Sequence, residues 1–107
     1  MPNSRFETRH KKRLSVRFGH GALEHIGHTS DVSTQGIFIE ARTVYKPGVV
    51  LKIELKTRDN EIILIEGEVR WAKKAPARAN HLMKSGMGIC ILNFLQGQDI
   101  FETYLSL

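Results

Sequence analysis

"VVLKIELKTRDNEIILIEGEVRW", residues 49–71, decides the fold. In its first half Leu51, Ile53 and Leu55 alternate with Lys52, Glu54 and Lys56. That period of two marks a strand with one buried face. "RDN", residues 58–60, is a turn-forming triplet. "EIILIEGEVRW" is nearly two-sided in its apolar character at first and alternates later. Two such runs joined by a short polar turn read as an antiparallel hairpin.

The same period recurs on both sides. In "RLSVRF", Leu14, Val16 and Phe18 share one face, while Arg13, Ser15 and Arg17 share the other. "GHGALEHIGHTS" contains three glycines and reads as a bent or bulged strand pair. "GIFIEA" and "GMGICILNF" are further strands, with Phe18, Phe38 and Phe94 at expected core positions. The tail, "QGQDIFETYLSL", puts Ile100, Tyr104 and Leu107 at helical spacing, with Asp99 in the first turn. The expectation is all-β with one helix: about six short strands in a small antiparallel barrel, with a terminal helix packed against it. No internal repeat or low-complexity segment interrupts the pattern.

The chain has 107 residues, 41% of them hydrophobic, which suits one domain and one modest core. A deep enzyme cleft is hard to fit into it. The formal net charge is +5, which suits an anionic partner. "MPNSRFETRHKKR" has no apolar centre and does not read as a secretory signal. No run approaches the ~20 apolar residues of a membrane span. The single cysteine, Cys90, sits inside "GICIL" and reads as a small buried apolar residue; no internal disulfide is possible. A cytoplasmic protein is the expectation.

Catalytic signatures are weak. His10, His20, His25, His28 and His81 are scattered, and no ligand-like cysteine or carboxylate pair accompanies the spacing of His25 and His28. No nucleophile elbow, phosphate-binding loop or dinucleotide fingerprint is present. The chain therefore reads as a binding module and not an enzyme, with no metal and no cofactor.

Two other features carry chemistry. Six of the 16 Lys and Arg residues fall in the first 17 positions: Arg5, Arg9, Lys11, Lys12, Arg13 and Arg17. This run reads as a basic arm, flexible over residues 1–12. Arg9 and Arg13 stand four apart, on one side of either an extended or a helical chain. Guanidinium groups grip phosphate oxygens, bind a guanine edge or stack on a base; a solvated arm is the plain alternative. The second feature is "DVSTQG", Asp31 to Gly36. Asp31 and Ser33 point the same way if the chain is extended, and offer a carboxylate and a hydroxyl. Gly36 permits positive φ and close backbone approach. A glycine-closed Asx or Ser turn accounts for the same residues.

Together, in this order and framework, the two features resemble the PilZ domain family of bacterial cyclic di-GMP receptors. "RHKKR" (Arg9 to Arg13) and "DVSTQG" carry the resemblance, and "GVVLKIEL", "GEVRW" and "GMGICIL" extend it across nearly the whole chain. It implies a six-stranded antiparallel barrel over residues 13–94 and a C-terminal helix over 96–107, within a single domain of residues 1–107. It also implies cyclic di-GMP as ligand, with Arg9 and Arg13 on phosphate and guanine, Asp31 and Ser33 on the guanine's polar edge, and Gly36 shaping the turn. Trp71, two past Val69, shares that residue's strand face by alternation and either packs at the core rim or stacks on a purine. Thr8 stands where an arginine would add a guanidinium for a second stacked ligand, which favours one ligand per chain, although Arg5 could substitute.

The implied function is a receptor that changes conformation on binding and relays the signal to an unidentified effector protein, as monomer or homodimer. One alternative is a PilZ-like interaction domain that does not bind nucleotide. Another is a small-barrel binder of single-stranded nucleic acid, which expects aromatics interleaved with basic residues on one face. Neither DNA nor RNA is the expected partner. The basic loop Lys73 to Lys84 is either a contact surface or solvated.

Overall fold

The computed structural model describes residues 9–76 and 84–106. The first eight residues of the arm, with Arg5 and Thr8, lie outside the described residues, as does the middle of the basic loop with His81. Six strands and one helix follow in chain order: β1 (Ser15–Gly19), β2 (His25–Val32), β3 (Gly36–Glu40), β4 (Val50–Lys56), β5 (Ile62–Lys73), β6 (Gly86–Gln96) and α1 (Gln98–Leu105). All strand pairs are antiparallel, and they close into a barrel in the order β1-β2-β3-β6-β5-β4.

The hairpin at residues 49–71 forms as its pattern requires. Ile53 pairs with Ile65 and Leu55 with Ile63, so the apolar faces of β4 and β5 coincide. Thr57 closes the turn: its N–H donates to the Glu61 carbonyl at 2.9 Å and its hydroxyl accepts from the Glu61 N–H at 3.0 Å. Val16, Phe18, Ile37, Ile39, Leu51, Ile53, Leu55, Ile63, Ile65, Val69 and Met87 fill the barrel. Burying each large aliphatic among them contributes about 1.5–3 kcal/mol of hydrophobic stabilisation.

The inward face of α1 differs from the expected one. Phe101 and Leu105 are buried, while Ile100 and Tyr104 are half-buried. Phe101 packs against Phe94, with ring centroids 5.3 Å apart. Phe94 is therefore half-buried between barrel wall and helix instead of lying in the barrel core. Cys90 is half-buried rather than buried.

Three irregularities in the β5–β6 ladder explain why alternation misplaces some side chains. Each bulge adds a residue to one strand and flips the faces beyond it. Between Val69 and Trp71 the pairing steps from Val69↔Ile89 to Trp71↔Gly88. Val69 and Trp71 consequently lie on opposite faces, and Trp71 stands on the outer wall, 50% exposed. Phe38, expected in the core, is also on the outer wall, stacked on Trp71.

Candidate functional site

The arm residues 9–14 run beside the end of β2. His10 and Val32 exchange both backbone hydrogen bonds, at 2.8 and 2.9 Å. Thr29 makes a second fastening. Its buried hydroxyl donates to the Lys12 carbonyl at 2.6 Å and accepts from the Leu14 N–H at 2.8 Å. The Thr29 N–H donates to the Leu14 carbonyl at 2.9 Å. Lys12 Nζ also stands 5.0 Å from the centre of the Tyr104 ring, joining the arm to α1 by a cation–π contact.

This route delivers Arg9 to the turn between β2 and β3. Its Nη1 donates to Ser33 Oγ at 3.2 Å, and its Nε lies 3.3 Å from Asp31 Oδ1. The second approach is ionic without hydrogen-bond alignment: Asp31 Oδ1 is buried and accepts no hydrogen bond among the described residues.

Ser33 is fully buried, and most of its bonding goes to the turn itself. Its hydroxyl accepts from the N–H groups of Gln35 and Gly36, at 3.3 and 3.1 Å, and lies 3.2 Å from the Gly36 carbonyl. The Ser33 N–H donates to that carbonyl at 2.8 Å. The "DVSTQG" segment is thus both a serine-closed turn and a holder for Arg9. Gly36 is there for a different reason from the expected one. Its φ is not positive; a Cβ there would meet the Ile89 carbonyl oxygen at 2.6 Å, so the glycine admits the backbone of β6.

Arg13 is exposed and makes no ion pair or hydrogen bond among the described residues. Clefts flank it on both sides. One, of about 270 Å³, is lined by Lys11, Lys12, Arg13, His28, Glu40 and Lys84, among others. Glu40 stands between His28 Nε2 at 3.2 Å and Lys84 Nζ at 3.6 Å. The other cleft, of about 850 Å³, opens between the arm, the β4–β5 turn and α1. The clefts beside Arg13 thus join Lys11 and Lys12 to carboxylates, Glu40 in the smaller and Asp59, Glu61 and Asp99 in the larger, while Asp31 stands at the turn beside Arg9.

Trp71 completes the wall. Asp31 pairs with Phe38, Phe38 with Gly88, and Gly88 with Trp71, a single row across β2, β3, β6 and β5. The Phe38 and Trp71 rings stack, with centroids 5.1 Å apart and planes at 21°. Sequence reasoning missed Phe38 and the two glycines beneath the rings, Gly86 and Gly88. Their signal was the alternation of Gly86 and Gly88 with the buried Met87 and Ile89, which leaves one strand face without side chains.

Among the described residues no three His, Cys, Asp or Glu side chains gather as a metal site, and no helix is long and apolar enough to cross a membrane.

A closed six-stranded barrel with this arm and turn is the architecture of a PilZ domain. The PilZ domain profile matches residues 3–105, and the chain belongs to that family, one of cyclic di-GMP receptors that serve as binding and regulatory modules. Among solved structures it is similar to the Bacillus subtilis inhibitor of motility, MotI/DgrA, with a TM-score of 0.73 at 18% identity. The likeness covers 92% of this chain and 47% of that one, so this chain spans about half the length of its structural relative. No curated protein matches the sequence.

Proposed function

We propose that the domain is a receptor for cyclic di-GMP that changes conformation on binding and passes the signal to an effector protein. One observation carries the reading: Arg9 meets Asp31 and Ser33, which lie far from it in sequence, at the outer end of β2, where Asp31 Oδ1 is buried beside the guanidinium and accepts no hydrogen bond among the described residues. A guanine base presents N–H donors to such a carboxylate and acceptors to a guanidinium. The two phosphates of the ligand call for cations, and Arg13, exposed beside a lysine-rich cleft, supplies one.

Binding proceeds by exchange. Asp31 turns from Arg9 to the guanine edge, and Arg9 and Arg13 close on phosphate and base. Because residues 9–14 are hydrogen-bonded to β2 and Lys12 touches α1, movement of the arm has a mechanical route to the helix. The reading assigns the ligand contacts to Arg9, Arg13, Asp31 and Trp71, with Ser33 and Gly36 keeping the turn in shape. It needs no metal, and it places the protein in the cytoplasm, where the messenger is. Calorimetric titration with cyclic di-GMP, with GTP and cyclic di-AMP as controls, tests it: saturable heat with cyclic di-GMP alone supports the reading, and a flat titration of folded protein at high micromolar ligand removes it.

A further inference from the structure

We infer that Lys84 is a further ligand-binding residue of this site: Glu40 holds it in reserve, and a phosphate of the ligand takes it over beside Arg13. The inference rests on the cyclic di-GMP reading. Thr29 is buried in the barrel, so its neighbour His28 faces outward. Glu40, at the end of β3, pairs directly with His28 and shares that outer face. It also pairs with Gly86, the first residue of β6, and Lys84 stands just ahead of that glycine. The opposite wall of the cleft is the arm. Lys11, Lys12, Arg13 and Lys84 thus surround about 270 Å³ in which Glu40 is the only carboxylate among the described residues. Pockets for whole small ligands run to roughly 300–1,000 Å³, so this cleft suits a single group. His28 is three residues from Asp31 along β2, roughly 10 Å at the rise of a strand. That separation suits one nucleotide, with its guanine edge at Asp31 and its phosphate in the cleft.

The two partners of Glu40 are unequal. Both approach the same oxygen, Oε1, but His28 Nε2 lies at 3.2 Å and Lys84 Nζ at 3.6 Å, beyond hydrogen-bonding distance. The Lys84 side chain is 68% exposed and that of Glu40 only 18%. Lys84 is therefore the movable member, a point charge on a flexible four-carbon stem. When it leaves, Glu40 keeps His28. A phosphate between Arg13 and Lys84 replaces a loose ion pair with charge-assisted contacts. Glu40 lowers the affinity of the empty cleft for an anion in two ways: it occupies Lys84, and it repels the entering phosphate.

The experiment titrates cyclic di-GMP calorimetrically into the wild-type domain, Lys84→Ala, Glu40→Gln and the double variant, each checked by thermal melt. Lys52→Ala is the control, removing the same charge from the exposed face of β4, across the barrel. Lys84→Ala should bind about three- to fivefold more weakly at an unchanged melting temperature, the scale of an ion pair between exposed groups. Lys52→Ala should bind as the wild type does. Glu40→Gln keeps the shape and removes the charge, so it should bind more tightly. That gain should be smaller in the Lys84→Ala background, because only the repulsion is then left to remove. Unchanged affinity in Lys84→Ala overturns the inference and leaves the receptor reading standing, and so does an equal loss in Lys52→Ala. An equal gain from Glu40→Gln in both backgrounds overturns it too, since Glu40 would then act by charge alone. Lys84→Ala and its control decide the matter by themselves if Glu40→Gln does not fold. Absence of any binding heat in the wild type removes the receptor reading, and the inference with it.

Discussion

Asp31 and Ser33 stand two residues apart and have opposite burdens. Ser33 is buried and spends its hydroxyl on the turn, so Ser33→Ala should destabilise the domain by about 1–3 kcal/mol, the range for leaving buried partners unsatisfied. Asp31 is part-exposed and pairs with an arginine that is 46% exposed, a contact worth no more than about 1 kcal/mol. Asp31→Ala should therefore leave the melting temperature almost unchanged and abolish most of the ligand affinity. Arg13→Ala should behave likewise, weakening binding by at least about 2 kcal/mol through loss of a charge-assisted contact. Thermal melts alongside calorimetry separate the two classes of variant. The sequence showed these residues because polar groups at fixed offsets in a strand turn stand out from an alternating pattern. It could not show where Trp71 faces, because the bulge after Val69 breaks the period of two on which that reading depended. Nor could it show that Gly36 answers to a neighbouring carbonyl and not to its own φ, since the close approach comes from β6, far away in the chain.

At the scale of elements, the arm and β2 act as one unit over residues 9–14. Thr29 is the joint, with its hydroxyl bonded to both Lys12 and Leu14. Thr29→Val keeps the shape but strands a buried N–H and a carbonyl, so it should cost about 1–3 kcal/mol of stability. It should also raise hydrogen exchange at Leu14 and weaken ligand binding by loosening the route that delivers Arg9; wild-type exchange at Leu14 in this variant would show that Thr29 does not hold the arm. The arm was legible in the sequence as a charge run, but its fastening was not. A threonine alternating within "GHTS" carries no mark of a partner fifteen residues earlier. The helix was legible in its presence and not in its start or its face: β6 runs on to Gln96 and α1 spans Gln98–Leu105, and Phe101 and Leu105 turn inward because Phe94, on the strand before it, supplies the ring that Phe101 packs against. That contact depends on how the chain turns at Gly97, which periodicity within the tail cannot register.

For the whole molecule, the proposed site lies on the outer wall of the barrel and apart from its core, so the two should separate experimentally. Ile53 is fully buried, and Ile53→Ala should destabilise by about 2–5 kcal/mol while the folded fraction keeps its affinity. The barrel was legible because six alternating runs with short turns leave few other closures, and closure itself, β1 against β4, leaves no open sheet edge. The net charge of +5 and the cluster of cations around Arg13 further imply that binding weakens as salt is added. The central claim is that this wall recognises cyclic di-GMP through the arm and the turn together. The most direct test is calorimetric titration of cyclic di-GMP into the wild-type domain and into Arg9→Ala/Arg13→Ala, both confirmed folded by thermal melt. Saturable binding by the wild type, with no heat from the double variant at an unchanged melting temperature, is the predicted result. Equal binding by both proteins, or a flat wild-type titration, would contradict it.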